Sequence, residues 1–178
     1  DRVGLILFTD EIELYLPPRK GRKHVLRVIR EIVEAEPRGK KTRIGDALAY
    51  LLKVQKRRSV VFVLSDWLDT GYDGPLRIAR AKHDVVAVRV SNPSELSLPD
   101  LGIITVTDAE TGAQRMLDSS SRRVREAFER RERERREIAR KRLMQSGADV
   151  VELSTDTDFV APLAGFFRAR AARLRGSR

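Results

Sequence analysis

Oxygen-bearing side chains stand where the predicted strands of this chain end. Thr9 and Asp10 follow the run VGLILF, and Ser65 and Asp66 close VVFVLSD, with Asp69 three residues further on. The carboxyl ends of parallel strands form the functional crevice of an open α/β sheet, so we expect these side chains to share one rim. Their carboxylate and hydroxyl oxygens suit a hard cation such as Mg²⁺ or Mn²⁺ better than zinc. The simpler interpretation is that Asp and Ser are common in loops.

Thr42 opens the second segment that could do chemistry, TRIGDAL. A phosphate-binding loop is excluded, because Glu34 and Lys41 occupy the positions that need Gly and Ser or Thr, and because a helix rather than a strand precedes the segment. Two interpretations stay open for the Thr42 hydroxyl: a helix N-cap, or a ligand facing a metal ion. Gly45 would permit close backbone approach in either case.

Other catalytic patterns are absent from the sequence. There is no G-x-S-x-G, H-E-x-x-H or C-x-x-C motif, and the lack of cysteine excludes disulfides, thiolate zinc sites and cysteine nucleophiles. His24 and His83 have no evident partner and are expected to serve packing or surface roles.

The elements that would position these residues alternate between strands and helices. Four apolar, mostly valine-rich runs are typical of strands buried on both faces: VGLILF, SVVFVLSD, DVVAVRV, which is followed by Ser91 and Asn92, and ADVVELS. EIELYL alternates like an edge strand, which we expect Pro17 and Pro18 to end. A hairpin is predicted with Glu110, Thr111 and Gly112 at its turn. The pattern predicts an α/β fold: an open, mainly parallel sheet with helices on both faces.

Length and composition favour a single globular domain over residues 1–178. Hydrophobic residues make up 41% and charged residues 35% of the chain, and no apolar run approaches the ~18 residues that span a bilayer. Neither a membrane segment nor a signal peptide is predicted, and the lack of cysteine fits a cytoplasmic location. The chain begins at Asp1 rather than Met, so the natural N-terminus is expected upstream.

The positive charge is concentrated near the C-terminus. The formal net charge is +10, and the predicted basic helix over 119–146 contributes 11 basic and five acidic residues. Opposite charges three or four residues apart are typical of a solvated helix, whereas an acidic partner or nucleic acid is the alternative. A strand and helix over 148–175 complete the chain, and the helix adds further arginines.

Several stretches resemble a known family. TRIGDAL followed by VVFVLSD is similar to the corresponding pair in von Willebrand factor A-like domains. More narrowly, five stretches resemble, in order, the bacterial family called domain of unknown function 58: DRVGLILF, LSDWLD, HDVVAVRVSNP, DAETG and STDTDFVAPLAGFFRAR. The resemblance implies a Rossmann-like three-layer fold and a metal ion-dependent adhesion site, to which Thr42 and Asp66 would contribute.

The chain departs from the adhesion-site pattern in one respect. No D-x-S-x-S run is present, and the family's first strand and helix are missing, so the fold is expected to be incomplete at its N-terminus. Two protein ligands hold Mg²⁺ or Mn²⁺ weakly, so none is expected to bind this chain alone. We also expect the strands VGLILF and VVFVLSD either to close up on each other or to be separated by another segment.

The resemblance implies a non-enzymatic adaptor that works with a MoxR-type AAA+ ATPase. Beside the metal pair, the expected partner contacts are Asp10, Ser65, Trp67 and Asp69. Trp67 would be either exposed at the crevice or buried under a loop. The alternatives are a nucleic-acid binder that uses the arginine-rich C-terminal helices and, least favoured, a metal-dependent phosphodiesterase that uses Asp10, Asp66 and Asp69.

Overall fold

The computed structural model describes residues 1–107 and 114–176. The chain divides into two compact units. The first is built mainly from Asp1–Arg58 and Asp69–Lys82, and the second mainly from Ser59–Leu68, His83–Val106 and the segment that begins at Arg115. A single domain over the whole chain stays a prediction.

An antiparallel hairpin begins the first unit. Strands β1 (Val3–Phe8) and β2 (Ile12–Arg19) pair with each other, and β1 is exposed or half-buried rather than buried on both faces as predicted. β2 also continues through Pro17 and Pro18, where we expected it to end. The register shifts between Val3 and Leu5 of β1, and this bulge accommodates the prolines, whose missing N–H groups need no partner on an edge strand.

Three helices complete the first unit: α1 (Arg22–Val33), α2 (Ile44–Val54) and α3 (Asp73–Lys82). α2 and α3 pack against each other and bury Ile44 and Leu76 completely. A Cβ on Gly45 would lie 3.3 Å from the carbonyl oxygen of Gly71. The close approach predicted at Gly45 is therefore present, and it serves the contact between the start of α2 and the segment before α3.

A parallel sheet forms the centre of the second unit. Strands β3 (Val60–Ser65), β4 (Asp84–Ser91) and β7 (Asp149–Ser154) lie in the order β3-β4-β7. β5 (Ile103–Thr107) and β6 (Gln114–Asp118) form a separate two-stranded sheet. The predicted turn residues Glu110, Thr111 and Gly112 lie outside the described residues.

Helices cover both faces of this parallel sheet, as the sequence predicts. Val86, Val88 and Val151 pack on one face with Leu163 and Phe166 of α5 (Val160–Gly176). The alternate positions point to the opposite face, where the ion pair between β4 and β7 meets α4 (Arg122–Gln145). The central strand β4 is buried along most of its length because both of its faces meet a helix. Each helix in the described part is too short or too polar to cross a bilayer.

The outer edges of the two sheets stay unpaired among the described residues. β1 pairs only with β2, and β3 pairs only with β4, so the two strands neither join each other nor share an intervening strand. Because β1 lies in the first unit and β3 in the second, the expectation that this gap closes or is filled stays a prediction. The apolar residues of β3 that point to the α5 side, Val60, Phe62 and Leu64, are exposed.

Arg170 fastens α5 to the sheet. Its guanidinium contacts the carboxylates of Asp84 and Asp149, the first residues of β4 and β7, the latter at 2.6 Å, and it lies 5.9 Å from the ring centre of Phe166. We expect Arg170→Ala to lower the free energy of unfolding by about 1–3 kcal/mol, because two part-buried carboxylates lose a charged donor. Urea denaturation of the variant provides the measurement.

Arg168→Ala is the matched control, since Arg168 is an exposed arginine on the same helix. Its effect should stay within about 0.5 kcal/mol, as for most surface substitutions. Equal destabilisation by the two substitutions would show that Arg170 does not fasten α5.

Candidate functional site

The loop after β3 presents a carboxylate to solvent on a locally hydrogen-bonded backbone. Asp66 is exposed, and its Oδ1 accepts hydrogen bonds from the Leu68 backbone N–H at 3.1 Å and from the Ser65 hydroxyl at 3.4 Å. The Ser65 hydroxyl oxygen in turn accepts from the backbone N–H of Trp67. Asp66 is thus held in place by its own loop, and no hydrogen bond engages its Oδ2 among the described residues.

Trp67 anchors this loop from inside the second unit. Its side chain is fully buried, and the indole N–H donates to the carbonyl oxygen of Val88 on β4 at 3.2 Å. Its φ of 61° is the one positive value among the non-glycine residues that the structure describes. Of the two environments that the sequence left open for Trp67, burial is the one observed. The expectation that Trp67 contacts a partner is therefore corrected: its buried side chain anchors the loop internally.

Two arginines that the sequence analysis missed line a crevice beside Asp66. Arg89, on β4, and Arg136, on α4, have side chains only 10% and 12% exposed. Each is paired, Arg89 with Glu152 at 3.1 Å and Arg136 with Glu95 at 2.9 Å. The signal that could have identified Arg89 was a basic residue in the interior of the otherwise apolar stretch VVAVRV.

The remaining rim residues of β4 have structural roles. The Ser91 hydroxyl donates to the carbonyl oxygen of Leu153 at 3.2 Å. The Asn92 side chain accepts from the backbone N–H of Ser94 and caps the short 3-10 helix Pro93–Leu96, which the sequence analysis did not anticipate. Both side chains are therefore engaged within the second unit.

Thr42, in the first unit, follows a loop that the Glu13 carboxylate holds. Oε1 of Glu13 accepts from the backbone N–H groups of Arg38 and Gly39, both at 3.0 Å, and from the Thr9 hydroxyl at 2.8 Å. The backbone N–H of Arg43 donates to the Thr9 carbonyl oxygen at 3.0 Å. Thr42 itself is half-buried, and its hydroxyl makes no hydrogen bond to any described residue.

Asp69, rather than Thr42, caps α2. The N-cap position is occupied by Arg43, which makes no capping bond with its side chain. Asp69 Oδ2 instead accepts from the backbone N–H of Ile44 at 2.8 Å, and its Oδ1 accepts from Thr70 at 2.6 Å. The N-cap interpretation of Thr42 is therefore wrong, and both carboxylate oxygens of Asp69 serve the fold.

Asp10 is exposed in the turn between β1 and β2. It stands so close to Gly39 that a Cβ on that glycine would collide with Asp10 and with Thr9. Asp10 and Thr42 belong to the first unit, whereas Ser65 and Asp66 belong to the second, so their assembly into one site stays a prediction. Within residues 1–107 and 114–176, no group of three His, Cys, Asp or Glu residues could hold a metal ion.

Six of the eleven basic residues of the helix α4 form ion pairs with described residues. Three pairs lie four residues apart along the helix, as predicted for a solvated helix, and three more join α4 to other elements of the second unit. The pairs are Arg122–Glu126, Arg133–Glu129, Lys141–Glu137, Arg125–Asp100, Arg136–Glu95 and Arg140–Glu152. The ion pair with Glu126 raises the pKa of Arg122.

Comparison of the sequence with known protein families identifies the family of this chain. The sequence profile described as Protein of unknown function DUF58 matches residues 1–138. The chain belongs to the DUF58 family. The match includes both loops described above, those that carry Thr42 and Asp66.

Mycobacterial proteins are among the relatives of this DUF58 chain. Uncharacterized proteins of Mycobacterium bovis and Mycobacterium tuberculosis are 30% identical over 99% of the chain, which spans 56% of their length. An uncharacterized protein of Mycobacterium avium is 28% identical over 87% of the chain and 93% of its own length. No solved structure matches the chain significantly.

Glu13 should make the stability of the first unit depend on pH. The hydrogen bond from the Gly39 N–H, followed by that from Thr9, lowers the pKa of the Glu13 carboxyl below its ordinary value of 4.5. The unfolded chain therefore binds the proton first, so the stabilising contribution is complete above the unfolded pKa and is lost as the pH falls through the folded pKa. Urea midpoints measured from about pH 6 to about pH 3 should fall less for Glu13→Gln than for the unaltered protein.

Glu11→Gln is the control, because Glu11 is an exposed glutamate in the neighbouring turn. It should reproduce the pH profile of the unaltered protein. If the urea midpoint of Glu13→Gln falls with pH as steeply as that of the unaltered protein, Glu13 is not the source of the pH dependence.

Removing the Asp69 carboxylate should uncap α2. We expect Asp69→Ala to lower the free energy of unfolding by about 0.5–2 kcal/mol, the usual cost of a lost cap. Asp69→Asn keeps an oxygen acceptor for the Ile44 N–H and should restore most of that loss. Thermal and urea denaturation of both variants provide the measurement. If the two substitutions destabilise equally, the cap is not the role of Asp69.

Proposed function

We propose that this DUF58 chain is a non-enzymatic protein-interaction module that acts beside a MoxR-type AAA+ ATPase. The observation that carries the proposal is the Asp66 carboxylate, which is exposed on a loop anchored by the buried Trp67. An immobile acceptor loses little conformational freedom on binding, so a partner contact made through it has a low entropic cost. Ser65 is the neighbouring contact residue, and Asp10 is the exposed acid of the first unit.

More specifically, we propose that a divalent cation bridges this chain and its partner. Thr42 and Asp66 offer hard oxygen donors, which suit Mg²⁺ or Mn²⁺, and no hydrogen bond among the described residues engages the Thr42 hydroxyl or Asp66 Oδ2. Two donors leave most of a cation's coordination shell to other oxygens. A carboxylate from the partner would supply one of them, and residues of a longer chain could supply more.

Two features favour this module over the alternatives. Asp69, which a phosphodiesterase would need as a ligand, caps α2 with one oxygen and accepts from Thr70 with the other. On α4, six of the eleven basic residues form ion pairs, which reduces the positive charge that nucleic acid could contact. We therefore place an interaction module first and a nucleic-acid binder second.

A pull-down on a MoxR-type AAA+ ATPase of the same organism tests the proposal. In the full-length protein, Thr42→Ala and Asp66→Ala should each weaken binding about tenfold, equivalent to about 1.4 kcal/mol. Asp46→Ala is the matched control, since Asp46 is an exposed acid of α2 and should leave binding unchanged. Chelation with EDTA should abolish binding if a cation bridges the partners.

Each result has a distinct meaning. Unchanged binding by both variants would remove the Thr42 and Asp66 contacts from the proposal. Weaker binding that EDTA does not affect would keep Asp66 as a direct contact and discard the bridging cation. No binding by the unaltered protein would end the ATPase partnership.

A further inference from the structure

Helix α1 carries an apolar stripe that nothing in the described chain covers. Of its apolar residues only Val28 is buried, and the other five are 39% to 78% exposed. These five residues, here called the α1 stripe, are Val25, Leu26, Ile29, Ile32 and Val33. Exposed large side chains scattered singly are ordinary, but five on adjoining positions of one helix form a contiguous surface of the kind that marks an interaction site.

The α1 stripe points away from the hairpin to which α1 is attached. The helix contacts β1, and His24 Nε2 lies 2.9 Å from the carbonyl oxygen of Val3. Val28 is the one buried apolar residue of α1. At about 100° per residue, Val28 stands at one border of the apolar arc, and the five exposed residues extend from it around the helix. The side that anchors α1 and the side that carries the stripe are therefore different.

Basic residues line the opposite border of the stripe. At the same helical spacing, Lys23, Arg27 and Arg30 follow Leu26 around the helix. The segment 19–33 contains six basic residues and one acid, Glu31, which pairs with Arg27 at 3.2 Å, and Glu34, directly after the helix, pairs with Arg30 at 3.7 Å. The six are Arg19, Lys20, Arg22, Lys23, Arg27 and Arg30. The stripe and the basic border together make α1 a basic amphipathic helix.

We propose that α1 binds the surface of an anionic lipid bilayer. In this arrangement the stripe enters the boundary between headgroups and acyl chains, while the basic border lies against the lipid phosphates. A large apolar stripe, a Lys/Arg-rich polar face and low overall hydrophobicity are the features of a helix that lies in a membrane interface. The 12 residues of α1 are about 18 Å long, enough to lie along the surface and too short to span the bilayer.

Charge decides between a bilayer and a protein partner. Four of the six basic residues, Arg19, Lys20, Arg22 and Lys23, form no ion pair with a described residue. An apolar groove of another protein would complement the stripe but not these four charges, whereas an anionic leaflet complements both. Each Lys or Arg near such a leaflet raises the binding constant roughly fivefold. This surface lies in the first unit and does not include Asp66, so the proposal is independent of the interaction module proposed above.

Vesicle flotation of the full-length protein tests the proposal. The unaltered protein should float with vesicles of phosphatidylcholine mixed with phosphatidylglycerol, should float poorly with phosphatidylcholine alone, and should dissociate as salt is raised. Ile29→Glu places a charge in the middle of the stripe and should weaken binding about tenfold or more. Ile78→Glu is the matched control, because Ile78 is 58% exposed on α3 and Ile29 is 52% exposed, so the same substitution there should leave flotation unchanged.

Four results would overturn the proposal. The first is a failure of the unaltered protein to float with the anionic vesicles, and the second is equal weakening by Ile29→Glu and Ile78→Glu. The third is a fall in melting temperature for Ile29→Glu with vesicle binding intact, which would make the stripe an internal packing surface. The fourth is a dimer in sedimentation velocity that Ile29→Glu dissociates, without any vesicle binding, which would make a second copy the occupant.

Discussion

The burial of the Trp67 indole is the interaction on which the candidate site depends. It holds the backbone at a φ of 61°, a left-handed conformation that costs roughly 1–2 kcal/mol for a residue other than glycine. Loss of a buried aromatic side chain costs about 3–5 kcal/mol, so packing outweighs the backbone strain. With the indole buried and hydrogen-bonded to Val88, the chain must turn outward at Asp66, which places that carboxylate in solvent.

Both loops that carry candidate ligands are held by hydrogen bonds rather than by regular secondary structure. In the first unit, the Glu13 carboxylate accepts hydrogen bonds from the Thr9 hydroxyl and from two backbone N–H groups of the loop that leads to Thr42. In the second unit, Ser65 and Asp66 close the loop after β3 on itself. Each unit thus keeps one oxygen donor available on an ordered loop, which suits recognition better than it suits a chemical step that needs a general base.

The charges of the chain are used in two different ways. On α4, acids four residues away or on other parts of the second unit form ion pairs with six of the eleven basic residues. Along the segment 19–33, two of the six basic residues, Arg27 and Arg30, pair with Glu31 and Glu34, and the apolar side chains beside them are exposed. Net charge alone pointed to the C-terminal half as the binding surface, whereas the exposed apolar stripe makes α1 the stronger candidate.

The sequence by itself determined the type and order of most elements, because hydrophobic periodicity is a local property. The valine runs formed the parallel strands β3, β4 and β7, the helical spacing of α2 and α4 was correct, and Gly45 proved to lie at a close contact. Tertiary structure decided which side chain does what. Asp69 rather than Thr42 caps α2, Trp67 is buried rather than exposed, and Arg89 and Arg136 line the crevice beside Asp66. These roles depend on partners distant in the chain, and short-range patterns in the sequence do not specify which distant partner a side chain meets.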